Sequence, residues 1–310
     1  MIIAVSLDPV MHVSYHTKRI VPGTTHHVGP VRYRAGGRGP AVARMLHTFG
    51  HEVAAAGLAG GTAGELIRAE LARHGVPTQF TPIARESRRL VEVTDAQTQT
   101  VTSFAEPSPY ITTEELGRLA ADYRGLLDGA SAAVLCGGLP DGLPPETYAT
   151  FATYAAEADV PVVLDAGAAA LWPAAPRRPA LVIPEPATDT DGPADPGAAG
   201  PAASAGAGAW SEASLQRLLD SGAGAVATMA GDVVEVLTAA RRWRAWLPGT
   251  PLRSRDALVA GLVPGVALGW SWPESLQHAV SLAASADLDG DLDLVTYEQL
   301  LPLVRVEPSS

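Results

Sequence analysis

Short, almost wholly apolar runs alternate along the chain with longer stretches whose apolar positions recur every three or four residues. Residues 2–7 (IIAVSL) have the length and composition of a buried strand. Residues 39–49 set Val42, Met45, Leu46 and Phe49 on one helical face. The rhythm continues with a strand at 51–58, a helix at 63–74, a strand at 131–136 and a helix at 145–158. Strands follow at 160–165, 180–183 and 223–229, and helices at 255–269 and 273–286. Apolar strands separated by amphipathic helices predict one α/β domain, a doubly wound and mostly parallel sheet with helices on both faces.

Two segments break the rhythm. Residues 12–34 and 88–105 are polar, alternate with a period of two and have no helical period, and VEVTDAQTQTVTSF reads as a hairpin. Together they predict a small β-sheet set apart from the main one, a lid over the carboxyl ends of the parallel strands, where open α/β sheets bind ligands. Residues 185–209 are acidic and rich in Pro, Gly and Ala, with no periodicity, which predicts a disordered surface loop.

Composition narrows the class. A length of 310 residues with 47% hydrophobic content suits one large core. A formal net charge of −11 argues against nucleic acid or an anionic membrane as partner. No apolar run approaches the roughly 20 residues of a membrane span. Cys136 is the single cysteine, so no disulfide is expected, and the N-terminal run reads as a strand and not a signal peptide. These features predict a cytoplasmic protein.

Seven short motifs, in order, carry a resemblance. They are Ser6-Leu7-Asp8-Pro9; Gly36-Gly37-Arg38-Gly39-Pro40-Ala41-Val42-Ala43-Arg44; Gly57-Leu58-Ala59-Gly60-Gly61-Thr62-Ala63-Gly64; Glu106-Pro107-Ser108-Pro109; Cys136-Gly137-Gly138-Leu139-Pro140-Asp141-Gly142; Val163-Leu164-Asp165; and Asp256-Ala257-Leu258-Val259-Ala260-Gly261. The chain resembles the phosphofructokinase B family of ribokinase-like sugar kinases over almost its whole length, and most of all the 1-phosphofructokinase and tagatose-6-phosphate kinase branch. The resemblance implies a sugar-phosphate substrate, ATP and Mg²⁺ as cofactors if activity survives, and a homodimer formed through the lid.

The residues that a kinase of this kind needs are only partly kept. Phosphoryl transfer requires a base for the attacking hydroxyl and donors around the moving phosphoryl group. The family supplies both in a G-A-G-D element at a helix start. The matching residues are Arg253-Ser254-Arg255-Asp256, which keep the base as Asp256 and put arginines where the glycines stand. On the sugar side the resemblance points to Asp8, His12, Gly36, Gly37, Gly39, Ala41 and Gly138. His12 replaces an acid and Ala41 an asparagine. On the nucleotide side it points to Thr228, Ala230 and Gly231, with Ala230 in place of a glycine. The metal-linked N-x-x-E element is replaced by Pro184-Glu185-Pro186-Ala187, with Glu185 and Asp189 as displaced acids in the acidic loop. Asp287-Leu288-Asp289-Gly290-Asp291 has the look of a calcium loop, but with Gly290 at position six the twelfth residue is Thr296, so no EF-hand is expected.

Five arginines, Arg38, Arg88, Arg89, Arg253 and Arg255, predict an anion or phosphate site, because guanidinium forks suit phosphate oxygens. The competing expectation is that they are solvated, or plug the old phosphoryl pocket. His12, His16, His26 and His27 have no spacing that compels a metal site, and none is expected. Cys136 and the pair Trp243 and Trp246 read as packing residues. The sequence thus favours a carbohydrate-kinase-like protein that is a pseudokinase binding a phosphorylated sugar or another small anion. An active ATP-dependent sugar or sugar-phosphate kinase, and an enzyme reusing the pocket for other chemistry, remain the alternatives.

Overall fold

The computed structural model describes residues 1–185, 210–287 and 291–309. The strands, in chain order, are β1 (Ile2–Ser6), β2 (Val10–Thr17), β3 (Arg32–Gly36), β4 (Val53–Ala59), β5 (Thr78–Pro82), β6 (Arg89–Asp95), β7 (Thr100–Ala105), β8 (Ala132–Cys136), β9 (Val162–Ala166), β10 (Leu181–Pro184), β11 (Ala225–Ala230), β12 (Val233–Thr238), β13 (Arg242–Trp246) and β14 (Arg305–Ser309). The helices are α1 (Arg38–Thr48), α2 (Gly61–Arg73), α3 (Thr113–Leu127), α4 (Thr147–Glu157), α5 (Ala168–Ala174), α6 (Glu212–Ser221), α7 (Arg255–Leu268), α8 (Trp272–Ser285) and α9 (Leu294–Leu300).

The main sheet has the order β14-β13-β12-β11-β10-β9-β8-β1-β4-β5. It is parallel from β11 to β5 and antiparallel from β11 to β14. In β1, Ile2 and Ala4 join one apolar layer while Ile3 and Val5 join the other, the period of two that a doubly covered strand requires. The first layer is closed by α1, α2, α7 and α8 through residues such as Leu46, Ile67, Leu258 and Val280. The second is closed by α3, α4, α5 and α6 through Tyr123, Phe151, Leu171 and Leu218.

The second sheet has the order β3-β2-β6-β7 and is the expected lid, beginning at Val10 and ending at Ala105. Its root is buried: Met11, Val13 and Ala35 belong to the first apolar layer.

Several elements escape the sequence reading. Helix α3 was absent from it, although Thr112 and Glu115 form a capping box at its start. The antiparallel extension β12–β14 was not placed by the sequence reading, and it makes the sheet mostly parallel, as expected, and not wholly so. There Trp243 packs against the first layer, and a free edge is capped by β14. Of the predicted acidic loop, Glu185 is ordered and the rest, including Asp189, lies outside the described residues.

Candidate functional site

The carboxyl ends of β8, β9 and β10 and the amino ends of α1 and α7 converge on one carboxylate. Asp165 ends the apolar run of β9, and its side chain is fully buried. A charge there must be matched. Arg38, the first residue of α1, donates through Nη1 to Asp165 Oδ2 at 2.7 Å. Its Nη2 lies 3.1 Å from Glu185 Oε1. Arg255, the first residue of α7, donates through Nη2 to Asp165 Oδ1 at 2.8 Å and to the carbonyls of Ile183 at 3.1 Å and Pro184 at 2.9 Å. Burial works against the charge of Arg38, but Asp165 and Glu185 outweigh it and hold the guanidinium charged well above its usual range.

Local structure explains how α1 and α7 reach this point. Gly37, at φ +87°, lets the chain turn from β3 into α1. A Cβ on Gly39 would lie 2.7 Å from the Ser6 Cβ, so the glycine lets α1 approach β1. A Cβ on Gly36 would sit 3.1 Å from Val10 Cγ1. Both glycines therefore have packing reasons to be there. Ala41 is buried in α1, and Gly138 faces open space beside β8. At α7, Ser254 is the N-cap, and its Oγ accepts from the N–H of Ala257. One amide that would otherwise point at an anion is thus already satisfied.

Asp256 follows in the first turn of α7. Burial pushes its carboxyl above the usual range, and Arg38 pulls it back down. No hydrogen bond reaches that carboxylate among the described residues.

A second cluster roots the lid. Asp8 Oδ2 accepts from Arg88 Nε and from Ser108 Oγ, both at 2.7 Å. Asp8 Oδ1 is buried without a partner, and burial raises this carboxyl despite Arg88. Beside it opens a cleft of about 690 Å³, lined by Arg85, Arg88, Ser108, Tyr110 and Asp141 among others. Arg89 is held by Glu86 at 3.0 Å and lies 3.8 Å from Glu106. His12 lies 3.1 Å from Glu92 on the neighbouring strand β6. Arg34 of β3 pairs with Asp291 from beyond α8, joining lid to core.

The arginines expected at an anion site are thus brought close to carboxylates. Arg38, Arg88, Arg89 and Arg255 each have an acidic partner, whereas Arg253 is exposed with no ion pair among the described residues. Thr228 and Ala230 lie in the β11 ladder opposite Glu235 and Val233, and Gly231 turns the hairpin at φ +58°. Asp232 of that hairpin accepts from the N–H of Leu252, which ties it to the approach to α7. The sequence reading missed Asp165 as the centre of the site and Arg85 in the cleft, and it assigned Glu185 to a solvated loop. One signal for Asp165 was available: a charge closing a wholly apolar strand.

Mg²⁺, implied by the resemblance together with ATP, does not fit the carboxylates at the strand ends as they stand. Asp165 and Glu185, the carboxylates at the strand ends, are both engaged by arginines. Among the described residues no group of three His, Cys, Asp or Glu side chains could hold a metal. Residues 288–290 of the acidic stretch lie outside the described residues. No described helix is long and apolar enough to cross a membrane.

The description "pfkB family carbohydrate kinase" belongs to a family model that matches residues 2–184. Among solved structures, a candidate phosphofructokinase of Staphylococcus aureus superposes with TM-score 0.80 at 22% identity, covering 100% of this chain and 99% of the other. A candidate 1-phosphofructokinase of Thermotoga maritima gives TM-score 0.79 at 19% identity, covering 100% of each chain. Phosphofructokinase-2 of Escherichia coli, solved in complex with fructose-6-phosphate, gives TM-score 0.80 at 19% identity, covering 97% of this chain and 98% of that one. The likeness is one of fold: a ribokinase-like core with a small second sheet.

Proposed function

The chain belongs to the pfkB family of carbohydrate kinases, and from that premise we propose that it is a degenerate member, a pseudokinase that binds a phosphorylated sugar or similar small anion without transferring a phosphoryl group from ATP. One observation carries the reading. The guanidinium of Arg255 lies against Asp165 and the two carbonyls that follow it across the sheet. A nucleotide phosphate and its metal would have to displace it, breaking a buried ion pair.

The ligand class rests on the cleft at the lid root. Arg85 is exposed there with no ion pair among the described residues, and Arg88, which gives its Nε to Asp8, presents further donors through its Nη groups. A phosphate at Arg85, with hydroxyls toward Tyr110 and Asp141, would use this set. Arg253 belongs to the proposal as supporting positive charge, and Arg38 and Arg89 as donors that come with acidic partners of their own. His12, Gly36, Gly37 and Ala41 enter the proposal as sugar-side residues on the family resemblance alone. The proposal extends to the 1-phosphofructokinase branch, to a homodimer through the lid, and to a cytoplasmic setting supported by the single, buried cysteine.

Calorimetry tests it. Millimolar Mg·ATP is expected to give no binding heat, while fructose 6-phosphate binds and Arg85→Ala weakens that binding by about tenfold, the loss of one charged hydrogen bond. A micromolar Kd for Mg·ATP overturns the pseudokinase reading. The second reading, an active sugar-phosphate kinase, is favoured by Asp256, an acid without a partner at the start of α7. It predicts sugar-phosphate-dependent ADP release that Asp256→Asn abolishes.

A further inference from the structure

The contacts of Arg255 are unusual in form. An arginine meeting a carboxylate ordinarily uses its fork, with two parallel N–H groups on two oxygens. Here one nitrogen, Nη2, has three oxygens within 3.1 Å: Asp165 Oδ1, the Ile183 carbonyl and the Pro184 carbonyl. That nitrogen carries only two hydrogens, so it has more acceptors than N–H bonds. Meanwhile Nε is buried with no acceptor at all. The side chain forgoes its fork to place one cationic nitrogen at the focus of three oxygens.

Those oxygens come from the backbone register and not from the arginine. Ile183 lies opposite Asp165 and Pro184 opposite Ala166 in the parallel β9–β10 pair. Both carbonyls belong to the last residues of β10, at its carboxyl end. A carboxylate and two carbonyls converging on a point is the donor set that hard cations take. The present occupant is the arginine nitrogen, held by N–H···O contacts of 2.8, 3.1 and 2.9 Å, so the three oxygens surround a singly charged nitrogen cation.

We propose that Asp165 Oδ1 and the carbonyls of Ile183 and Pro184 form a latent site for a monovalent cation of ammonium or potassium size, which Arg255 fills from within the chain. The inference rests on the pseudokinase reading and deepens it. A chain that carries its own cation at this point needs none from solution to stabilise the buried charge of Asp165. Arg38 holds the other oxygen of the same carboxylate, so the site is half-neutralised before any ion arrives, which favours a single positive charge over two.

Chemical rescue of truncation variants tests the proposal. Arg255→Ala is expected to lower Tm by roughly 5 °C or more in choline chloride, because one partner of a buried pair is removed. Ammonium or potassium chloride at equal ionic strength is expected to restore about half of that loss or more. Wild type and Arg255→Lys, which brings its own ammonium, are expected to show no such difference between salts. Should Arg255→Ala fail to fold, Arg255→Gln keeps a donor for the carbonyls, removes the charge, and is expected to respond to the same ions. Equal melting of both variants in all salts overturns the proposal. So does recovery with magnesium but not with ammonium, or an equal response by wild type. Nucleotide is absent throughout, so this result is independent of the Mg·ATP calorimetry. Binding of Mg·ATP to wild type sinks the pseudokinase reading, and absence of rescue sinks the latent site.

Discussion

At the scale of single residues, His278 of α8 makes the fold sensitive to acid. Its Nδ1 lies 2.7 Å from the Tyr297 hydroxyl, and Phe49, Trp270 and Tyr297 pack edge-on around the ring. Burial, followed by the neighbouring His51, pushes its pKa down to about 4. A histidine depressed in the folded state contributes stability that is complete above its unfolded value of 6.5 and is lost as pH falls toward about 4. The loss amounts to at most about 3 kcal/mol, at about 1.4 kcal/mol per pH unit. Urea unfolding at pH 7, 5.5 and 4.5 is expected to show this fall in wild type and a shallower one in His278→Gln. Asp8 and Asp256, raised by burial, act in the opposite sense, so the difference between the two proteins is the quantity to read. Identical pH dependence in both would remove His278 as the source.

At the scale of elements, the placement of α7 decides where Arg255 and Asp256 stand, and glycines set that placement. A Cβ on Gly261 would fall 2.4 Å from the Cα of Ala279, and one on Gly265 2.0 Å from Ser275 Oγ. The two helices touch backbone to backbone, so α7 cannot move outward without losing the contact. Gly261→Ala is expected to cost about 1–3 kcal/mol by overpacking, and to weaken ligand binding because α7 shifts. Gly117 in α3 is the contrast: a Cβ there meets nothing within 4 Å, so Gly117→Ala is expected to stabilise by up to about 1 kcal/mol. Chemical denaturation of the two variants side by side checks both signs. Equal effects would mean that helix propensity and not interhelical contact governs α7.

For the whole molecule, the lid is the part left incomplete. Strand β7 is an edge of the small sheet, every one of its residues is exposed, and Val101 and Phe104 are 56% and 61% exposed. Tyr33 on the opposite edge strand is half exposed as well. Open edges carrying apolar side chains invite pairing, and a second copy of the chain is the proposed occupant. Light scattering at micromolar concentration is expected to give twice the mass of the 310-residue chain, and Val101→Glu/Phe104→Glu to give the monomer. A wild-type monomer under those conditions would overturn the lid dimer. The Arg34–Asp291 pair, which ties β3 to the core from 257 positions away, is expected to hold the lid closed in either state.

How much could be read from the sequence depended on the range of the forces involved. Hydrophobic periodicity is local, so the alternation of strands and helices, the polar lid segments and the start of α7 at Arg255 were legible in it. The glycines at 36, 37 and 39 were legible as a turn into a helix, but not as the close approach of α1 to Ser6. Helix α3 was passed over although Leu116, Leu119, Tyr123 and Leu127 recur in it at helical spacing. The β11–β12 hairpin has a local mark, the two-residue Gly231-Asp232 turn, which the sequence reading passed over, whereas the pairing of β13 with β14 has none because the two strands are far apart in sequence. The five arginines were visible as charge, yet their fate depended on residues 38, 165, 185 and 255 meeting at the end of one sheet. Sequence showed arginines, Arg253 and Arg255, at both glycine positions of the element that resembles the family's G-A-G-D. Only the tertiary structure decided that Arg255, together with Arg38 of the glycine-rich turn, is spent on a buried aspartate. An ion pair across 127 or 90 positions is fixed by strand register and by the paths of loops, and neither is encoded in any short stretch of chain.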